Sequence, residues 1–393
     1  MATKRDLDLA RRLLRAGVLD EARIRRALEV QAQWAQQGHD AALERAIYAA
    51  GFLPKGALAP LRAPPLAESQ PFTNYHVGGL LGEGGVAAVY AGTYTPNGSP
   101  VAIKVMDPVL ALRDDFRDRF VREANLHIEL EHENIVAGYE VGTEGGYHFY
   151  TMERIEGATV LDVIERRGFL ECREALSILL QVARALLYLH EMGLVHRDIK
   201  PGNMMVEASG MVHLIDLGLI GKMGEEGDVP SQDVVTVGTV EYVSPEQARG
   251  RTDLDARTDL YSLGIALYHM VVGEVPFQGE NDYEVMAKQI LASVDAQKIK
   301  RRRITPEIYF LIAKLAAKER DERYPTAEEA IAVIEGYLPD GIVPVDLGVP
   351  PVAEPVAPPP RRPSSSATPA VAPARRRGPH RGDAPQPRRR RYR

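Results

Sequence analysis

Cysteine is almost absent from this sequence of 393 residues, since Cys172 is its single example. One thiol cannot form an internal disulfide or supply the ligands of a zinc site, so a disulfide scaffold and a cysteine-based zinc protein are excluded. This cysteine usage predicts a reducing, cytoplasmic location. No apolar run reaches the roughly 18 residues of a membrane span. The N-terminus is charged and lacks the apolar core of a secretory signal.

The remaining composition is that of an ordinary globular protein, with 45% hydrophobic and 26% charged residues. A collagen and a wholly disordered chain are therefore excluded. The length predicts two or three folded units at about 150 residues each. The net charge of −6 is unevenly distributed, because eleven Arg but only two Asp and one Glu follow residue 340. The first 340 residues thus carry a net charge of about −14 and the tail one of about +8, so the two parts are treated separately.

Residues 1–62 have the apolar spacing of helices and contain an internal duplication. The segment around Gly17 recurs 34 residues later around Gly51. In each copy a helix is predicted to end at a glycine that suits a left-handed cap, and another helix to begin after an apolar pair. Two copies are too few for a tetratricopeptide array. The pattern therefore predicts a small helical bundle, called here the N-terminal module.

Proline marks the two boundaries of the central region. Residues 63–74 are predicted to be a linker, and residues 339–393 a disordered tail rich in Pro and Arg. Thirteen of the 28 prolines follow residue 340, and the tail lacks the apolar periodicity that would offset its ordering entropy. The chemistry is therefore expected in residues 75–338.

A glycine-rich segment lies between two strand-like runs near the start of this central region. The backbone of such a segment can approach phosphate oxygens closely and direct its N–H groups toward them. Taken alone, the segment suits a simple hairpin equally well. Its residues are Leu81, Gly82, Glu83, Gly84, Gly85, Val86, Ala87, Ala88 and Val89.

A lysine in an apolar strand follows this segment. Lys104 lies in the run Val101–Val105, where an ammonium group needs an anionic partner. Glu123 lies nineteen residues later on a helix predicted over residues 114–130, and it is a candidate partner. Separately, the two residues could be an edge-strand lysine and a solvated glutamate. Behind a glycine-rich loop, they indicate a phosphate site.

Three further motifs follow in order: HRDIKPGN at 196–203, DLG at 216–218 and SPE at 244–246. Together with the glycine-rich segment, Lys104 and Glu123, they resemble the protein kinases, and more narrowly the eukaryotic-like serine/threonine kinases of bacteria. The resemblance covers roughly 260 residues. It implies an α+β, bilobal kinase fold with a small β-rich lobe that holds one helix and a larger helical lobe.

The resemblance also implies the catalytic roles. Lys104 would pair with the α- and β-phosphates of ATP, and Glu123 would hold that lysine in place. Asp198 would orient the acceptor hydroxyl toward the γ-phosphorus, and Lys200 would offset charge on the transferred group. Such a reaction depends mainly on positioning and charge neutralisation.

The same resemblance implies the cofactors, ATP and Mg²⁺, with Mn²⁺ as an alternative. Asn203 and Asp216 would bind the metal, since carboxylate and amide oxygens suit this hard cation. The glycine-rich segment would cover the phosphates. Around the adenine would lie Leu81, Val89, Ala102, Met152, Glu153, Ile155 and Met205.

Lys200 is the serine/threonine pattern of the family, so the expected partners are proteins with Ser or Thr acceptors. Autophosphorylation is expected in the loop 218–243, which contains Ser231, Thr236 and Thr239. Two supporting contacts are also implied, a pair between Glu246 and Arg323 and a role for Asp259 in holding the catalytic loop.

Two alternatives remain beside this interpretation. One is a pseudokinase scaffold, although the residues that such proteins usually lose are all present. The other is nucleic-acid or lipid binding by the arginine-rich tail, which is disfavoured because Tyr392 is its only aromatic residue. The N-terminal module resembles helical modules of bacterial secretion ATPases and some bacterial kinases. Whether it binds a partner or only packs on the main domain stays open.

Overall fold

A computed structural model describes residues 2–39, 42–207, 209–223, 240–302 and 304–347. None of the helices in this part of the chain combines the length and the apolarity that crossing a membrane requires. Residues 224–239 and 348–393 lie outside the described ranges, and with them Ser231, Thr236, Thr239 and the arginine-rich tail.

The N-terminal module is built from three helices that one aspartate joins. Asp6 on the first helix accepts hydrogen bonds from the Gln31 side chain and from the backbone N–H of Leu43, both at 3.0 Å. Gly17 and Gly51 have φ angles of 64° and 71° and follow the ends of two helices. After Gly51 only a 3₁₀ helix forms, at Ala59–Arg62, so the second copy is shorter than the first. The helices are α1 (Lys4–Arg15), α2 (Glu21–Gln36) and α3 (Leu43–Ala49).

The predicted linker packs on the lobe that follows it. A short helix, α4 (Leu66–Ser69), places Leu66 against the sheet. Phe72 is also buried there, with its ring centroid 4.2 Å from that of Phe149. The linker therefore has a defined structure, because its two large apolar side chains, Leu66 and Phe72, pack against the sheet.

The sheet lobe consists of five antiparallel strands in the order β1-β2-β3-β5-β4 and one long helix, α5 (Asp114–Glu129). Gly138 lies where α5 crosses β4, and a Cβ there would come within 2.8 Å of the His127 backbone, so only glycine allows this close approach. The strands are β1 (Tyr75–Glu83), β2 (Ala87–Tyr94), β3 (Ser99–Met106), β4 (Gly138–Glu144) and β5 (Tyr147–Glu153).

The helical lobe surrounds one apolar helix, α9 (Ala256–Val272), which is buried along nearly its whole length as its all-round apolar sequence predicts. Short strands at the boundary of the lobes are β6 (Gly157–Thr159), β7 (Leu194–Val195), β8 (Met204–Glu207), β9 (Val212–Leu214) and β10 (Gly221–Lys222). The other helices are α6 (Val160–Arg167), α7 (Cys172–Glu191), α8 (Pro245–Ala248), α10 (Asp282–Leu291), α11 (Ala296–Arg301), α12 (Pro306–Leu315) and α13 (Ala327–Gly336). The bilobal prediction is confirmed.

The start of the predicted disordered tail instead packs on the helical lobe. Val345 and Leu347 are buried in its core, and the N–H of Val343 donates to Ser177 Oγ at 2.8 Å. The prediction of disorder is therefore wrong for residues 343–347. Three alternating apolar residues suffice to place one extended segment against a core that already exists.

The predicted pair between Glu246 and Arg323 is confirmed. Both side chains are buried, and the guanidinium donates to the two carboxylate oxygens at 2.7 and 2.9 Å. Burial alone would raise the pKa of Glu246, but the bonds from Arg323 outweigh it and lower that pKa. The pair joins α8 to the segment before α13.

Replacing Glu246→Gln should lower the free energy of unfolding by about 3 kcal/mol, because the Arg323 charge would stay buried without its counter-charge. Denaturant unfolding monitored by circular dichroism measures this. Asp8→Asn removes one partner of an exposed ion pair with Arg11 and should cost less than about 0.5 kcal/mol. Equal losses in the two variants would contradict the assignment.

Candidate active site

Lys104 on β3 is the group that joins the two lobes. Its Nζ lies 2.5 Å from Glu123 Oε1 on α5 and 3.8 Å from Asp216 Oδ1, which follows β9 of the helical lobe. Tyr150 donates its hydroxyl to the same Glu123 oxygen at 2.7 Å. The ammonium group and the glutamate are both largely buried. The structure thus brings the predicted lysine and its predicted partner together.

The charges of this cluster support one another. Burial alone would lower the pKa of Lys104, but the carboxylates of Asp216 and Glu123 outweigh it and raise that pKa well above its usual value. Burial alone would in turn raise the pKa of Asp216. The Lys104 ammonium and the N–H of Gly218 outweigh that effect and lower the pKa to about 2. Both groups are therefore charged at neutral pH.

The HRD segment is held by Asp259, as predicted. This buried carboxylate accepts the backbone N–H groups of His196 and Arg197 at 2.9 and 2.8 Å, and His190 Nε2 lies 2.9 Å from it. Arg197 has a φ of 69°, a left-handed conformation that is costly for a side chain of this size. Gln247 Nε2 donates to the Arg197 carbonyl at 2.9 Å. Several buried bonds therefore hold the strained backbone beside Asp198.

One carboxylate oxygen of Asp198 is hydrogen-bonded, and the other has no hydrogen-bond partner among the described residues. Its Oδ2 accepts from Lys200 Nζ at 2.8 Å and from Asn203 Nδ2 at 2.9 Å. Its Oδ1 is inaccessible to solvent and has no hydrogen-bond partner within the described ranges. A buried oxygen without a donor is costly, so this atom is suited to accept a bond from a bound hydroxyl.

Asn203 and Asp216 are the candidate metal ligands. The Asn203 amide nitrogen donates to Asp198, which leaves the amide oxygen to bind a cation. Asp216 Oδ1 accepts from the Gly218 N–H at 2.9 Å. Among the residues described, no group of three or more His, Cys, Asp or Glu is arranged to hold a metal ion. Two protein oxygens fit a divalent cation that takes its other ligands from water and phosphate.

The residues predicted to contact adenine come from both lobes. Ala102, Met152, Val89 and Ile155 belong to one apolar cluster of the sheet lobe. The N–H of Glu153 donates to the Ala137 carbonyl at 2.8 Å, so this N–H is not available to a base. Leu81 on β1 has 53% of its surface exposed, and Met205 lies on β8 of the helical lobe.

The glycine-rich segment forms the turn between β1 and β2. Gly82 and Glu83 pair with Val89 and Ala88, and the N–H of Gly84 donates to the Ala87 carbonyl at 2.9 Å. The connection itself consists of Gly84, Gly85 and Val86, and Val86 is exposed. The turn is therefore a hairpin whose tip presents backbone groups at the edge of the sheet lobe.

Sequence reasoning missed one supporting network in the helical lobe. The buried side chain of Gln289 on α10 donates to the carbonyls of Val240 and Glu241 at 3.3 and 2.5 Å. Tyr261 donates to Gln289 Oε1 at 2.6 Å, and Lys318 Nζ reaches the Tyr261 hydroxyl at 2.7 Å. These residues hold the segment that follows Thr239. No motif marks Gln289, because only the tertiary fold places it there.

Changing Asp259→Asn should lower phosphoryl-transfer turnover about 100-fold, since an amide cannot accept every N–H that now reaches the carboxylate and the HRD backbone shifts. The dissociation constant for nucleotide should change little, because Asp259 lies below the catalytic loop. Steady-state kinetics and nucleotide titration measure the two effects. Asp253→Asn, at an exposed pair with Arg251, is the matched control. Unchanged turnover in Asp259→Asn would refute the assigned role.

Comparison with known proteins places this site in a family. The family described as protein kinase domain matches residues 75–333. The serine/threonine-protein kinase PknB of Mycolicibacterium smegmatis is 35% identical over 274 residues, which cover 68% of this chain and 44% of that protein. The probable serine/threonine-protein kinase PknB of Bifidobacterium longum is 38% identical over 278 residues, 68% of this chain and 40% of the relative.

A third relative, the serine/threonine-protein kinase PknB of Mycobacterium tuberculosis, is 33% identical over 259 residues, 65% of this chain and 41% of that protein. The chain therefore spans less than half the length of these curated relatives. The matched region holds both lobes and every motif residue described above. The chain belongs to the protein kinase family, in its eukaryotic-like bacterial serine/threonine branch.

Proposed function

We propose that this protein is a serine/threonine protein kinase that transfers the γ-phosphoryl group of ATP to hydroxyl groups of proteins. The observation that supports this most strongly is the position of Lys104 between Glu123 of the sheet lobe and Asp216 of the helical lobe. Groups from both lobes thereby face one cleft, where they can bind a phosphate chain and its cation.

ATP, when bound with a divalent cation, supplies the transferable phosphoryl group. Lys104 then holds the phosphates by charge, and Glu123 fixes the lysine through its 2.5 Å contact. Asp198 accepts a hydrogen bond from the acceptor hydroxyl at its unpartnered Oδ1 and so orients the attacking oxygen. Lys200, bonded to the other oxygen of Asp198, offsets negative charge that develops nearby.

Mg²⁺ is the cation that we propose, with Mn²⁺ as the alternative. Asn203 and Asp216 offer two hard oxygen ligands, and Mg²⁺ commonly takes the rest of its octahedral shell from water and phosphates. Mn²⁺ accepts similar oxygen ligands. A protein that uses ATP in this way and has a single cysteine suits the cytoplasm.

Serine and threonine are the proposed acceptors, and proteins are the proposed substrates. Lys200 lies two residues after Asp198, as in the serine/threonine pattern, and the curated relatives are named as serine/threonine kinases. Autophosphorylation between residues 218 and 243 is part of the proposal. We infer no nucleic-acid binding from the arginine-rich tail.

Asp198→Asn should abolish most phosphoryl transfer, with a loss of about 100-fold or more, because the amide no longer orients the hydroxyl as an anion does. Nucleotide affinity should stay close to that of the wild type. Labelling of a basic protein and of a bacterial lysate with a thiophosphate ATP analogue measures transfer, with Mg²⁺ and Mn²⁺ in parallel.

Wild-type protein that binds nucleotide but transfers nothing with either metal would identify a scaffold rather than an enzyme. Equal labelling by wild type and Asp198→Asn would show that another kinase does the work. Phosphopeptide mapping of the same samples locates any autophosphorylation. Absence of phosphate between residues 218 and 243 would remove that part of the proposal.

A further inference from the structure

The N-terminal module contacts the sheet lobe at residues 107–113, which join β3 to α5, and at Tyr147 of β5, whose hydroxyl donates to the Pro60 carbonyl at 3.0 Å. Val109 in this segment is only 2% exposed and belongs to the apolar core of the module, together with Leu13, Leu43 and Ile47. Leu112 packs against the same core. The segment therefore belongs to the sheet lobe by its position in the chain and to the N-terminal module by its packing, since its apolar side chains complete the core of the helical bundle.

Polar contacts reinforce this junction. Arg113 donates from Nη1 to the carbonyl of Ala16 at 3.2 Å, and Ala16 caps the C-terminus of α1. A cation is favourable there because the last carbonyls of a helix carry partial negative charge. Arg12 on α1 also lies 3.2 Å from Asp107 at the start of the segment. The two ends of residues 107–113 are thus both bonded to α1.

The same segment leads directly to the catalytic groups. Helix α5 begins at Asp114, immediately after Arg113, and carries Glu123. Asp107 accepts the N–H groups of Val109 and Leu110, which gives the segment a fixed shape. The N–H of Asp107 donates to the carbonyl of Val86 in the glycine-rich turn at 2.8 Å. One short segment therefore joins the module both to α5, which carries the partner of Lys104, and to the glycine-rich turn.

We propose that the N-terminal module is a built-in positioning element for α5, and that Val109 and Arg113 are positioning residues for the Lys104–Glu123 pair. Docked, the module fixes the N-terminal end of α5 and holds Glu123 against Lys104. Undocked, it releases α5, and the lysine loses the carboxylate that orients it toward phosphate. The inference rests on the proposed nucleotide site and specifies how that site is regulated.

Val109→Asp in the full-length chain tests this coupling, since a carboxylate in the module core forces the junction apart. We expect amide hydrogen exchange in α5 to accelerate about tenfold and the dissociation constant for a non-hydrolysable ATP analogue with Mg²⁺ to rise about tenfold, a typical coupling between two sites. Exchange in α7 of the helical lobe should stay unchanged. The Michaelis constant for a peptide acceptor should also stay near the wild-type value.

Two controls separate positioning from general damage. Val109→Ile keeps an apolar side chain and should behave as the wild type. Leu7→Asp makes the same apolar-to-acid change on the exposed surface of α1 and should leave α5 exchange and nucleotide binding unchanged. The single tryptophan, Trp34, packs against the module core, so its fluorescence reports whether the module has moved.

Arg113→Ala is the second variant, which decides the question if Val109→Asp fails to fold. It removes the bond to Ala16 and should produce a smaller shift in the same direction. Asp115→Asn is its matched control, because it removes the ion pair between Arg113 and Asp115 and keeps the bond to Ala16. Altered Trp34 emission with unchanged α5 exchange would overturn the inference, and so would wild-type exchange in Arg113→Ala.

Hydrogen exchange is measured without nucleotide, so its outcome does not depend on phosphoryl transfer. A wild-type chain that binds no nucleotide would refute the proposed function, while faster α5 exchange in the variants would still support the positioning role. Normal nucleotide binding in every variant, together with unchanged exchange, would refute the inference and leave the proposed function intact.

Discussion

A buried ammonium group must be matched by anions, and the rest of this structure depends on how that requirement is met for Lys104. Its carboxylate partners come from different parts of the fold, Glu123 from α5 and Asp216 from the segment after β9. Either carboxylate alone would leave the lysine dependent on one lobe. Because it contacts both carboxylates, the Lys104 ammonium group holds β3, α5 and the segment after β9 close together.

The helical lobe also holds the strained backbone at Arg197, next to Asp198. Asp259 accepts the N–H groups of the HRD segment, and it stands on α9, which is buried along nearly its whole length. The pair of Glu246 and Arg323 fixes the adjoining segment from the other side. The cost of burying these three charged side chains is offset by their hydrogen bonds, which Asp259 accepts from backbone N–H groups and Glu246 accepts from Arg323.

The grouping of the site residues could be predicted from the sequence, but much of the structure that supports them could not. Lys104, Asp198 and Asp216 stand in recognisable motifs, so the sequence alone predicts that they converge. Gln289 lies in no motif, and its role arises only when α10 packs beside residues 240–241. Val109 is one apolar residue among many, and its place in the module core depends on tertiary packing.

The tail shows a different limit of sequence reasoning. Composition averaged over residues 339–393 is rich in Pro and Arg, and this average hides the few apolar residues at its start. Val345 and Leu347 nevertheless pack on the helical lobe, because a core surface is present to receive them. In the N-terminal module the duplication predicts a helix after Gly51, and the structure has a 3₁₀ helix there, at Ala59–Arg62.

The most direct test of the central claim is a crystal structure of the chain with Mg²⁺ and a non-hydrolysable ATP analogue. We predict phosphate oxygens at Lys104 Nζ, the cation on Asn203 and Asp216, and Asp198 Oδ1 facing the terminal phosphorus. A triphosphate bound elsewhere, with Lys104 still paired only with Glu123 and Asp216, would contradict this prediction.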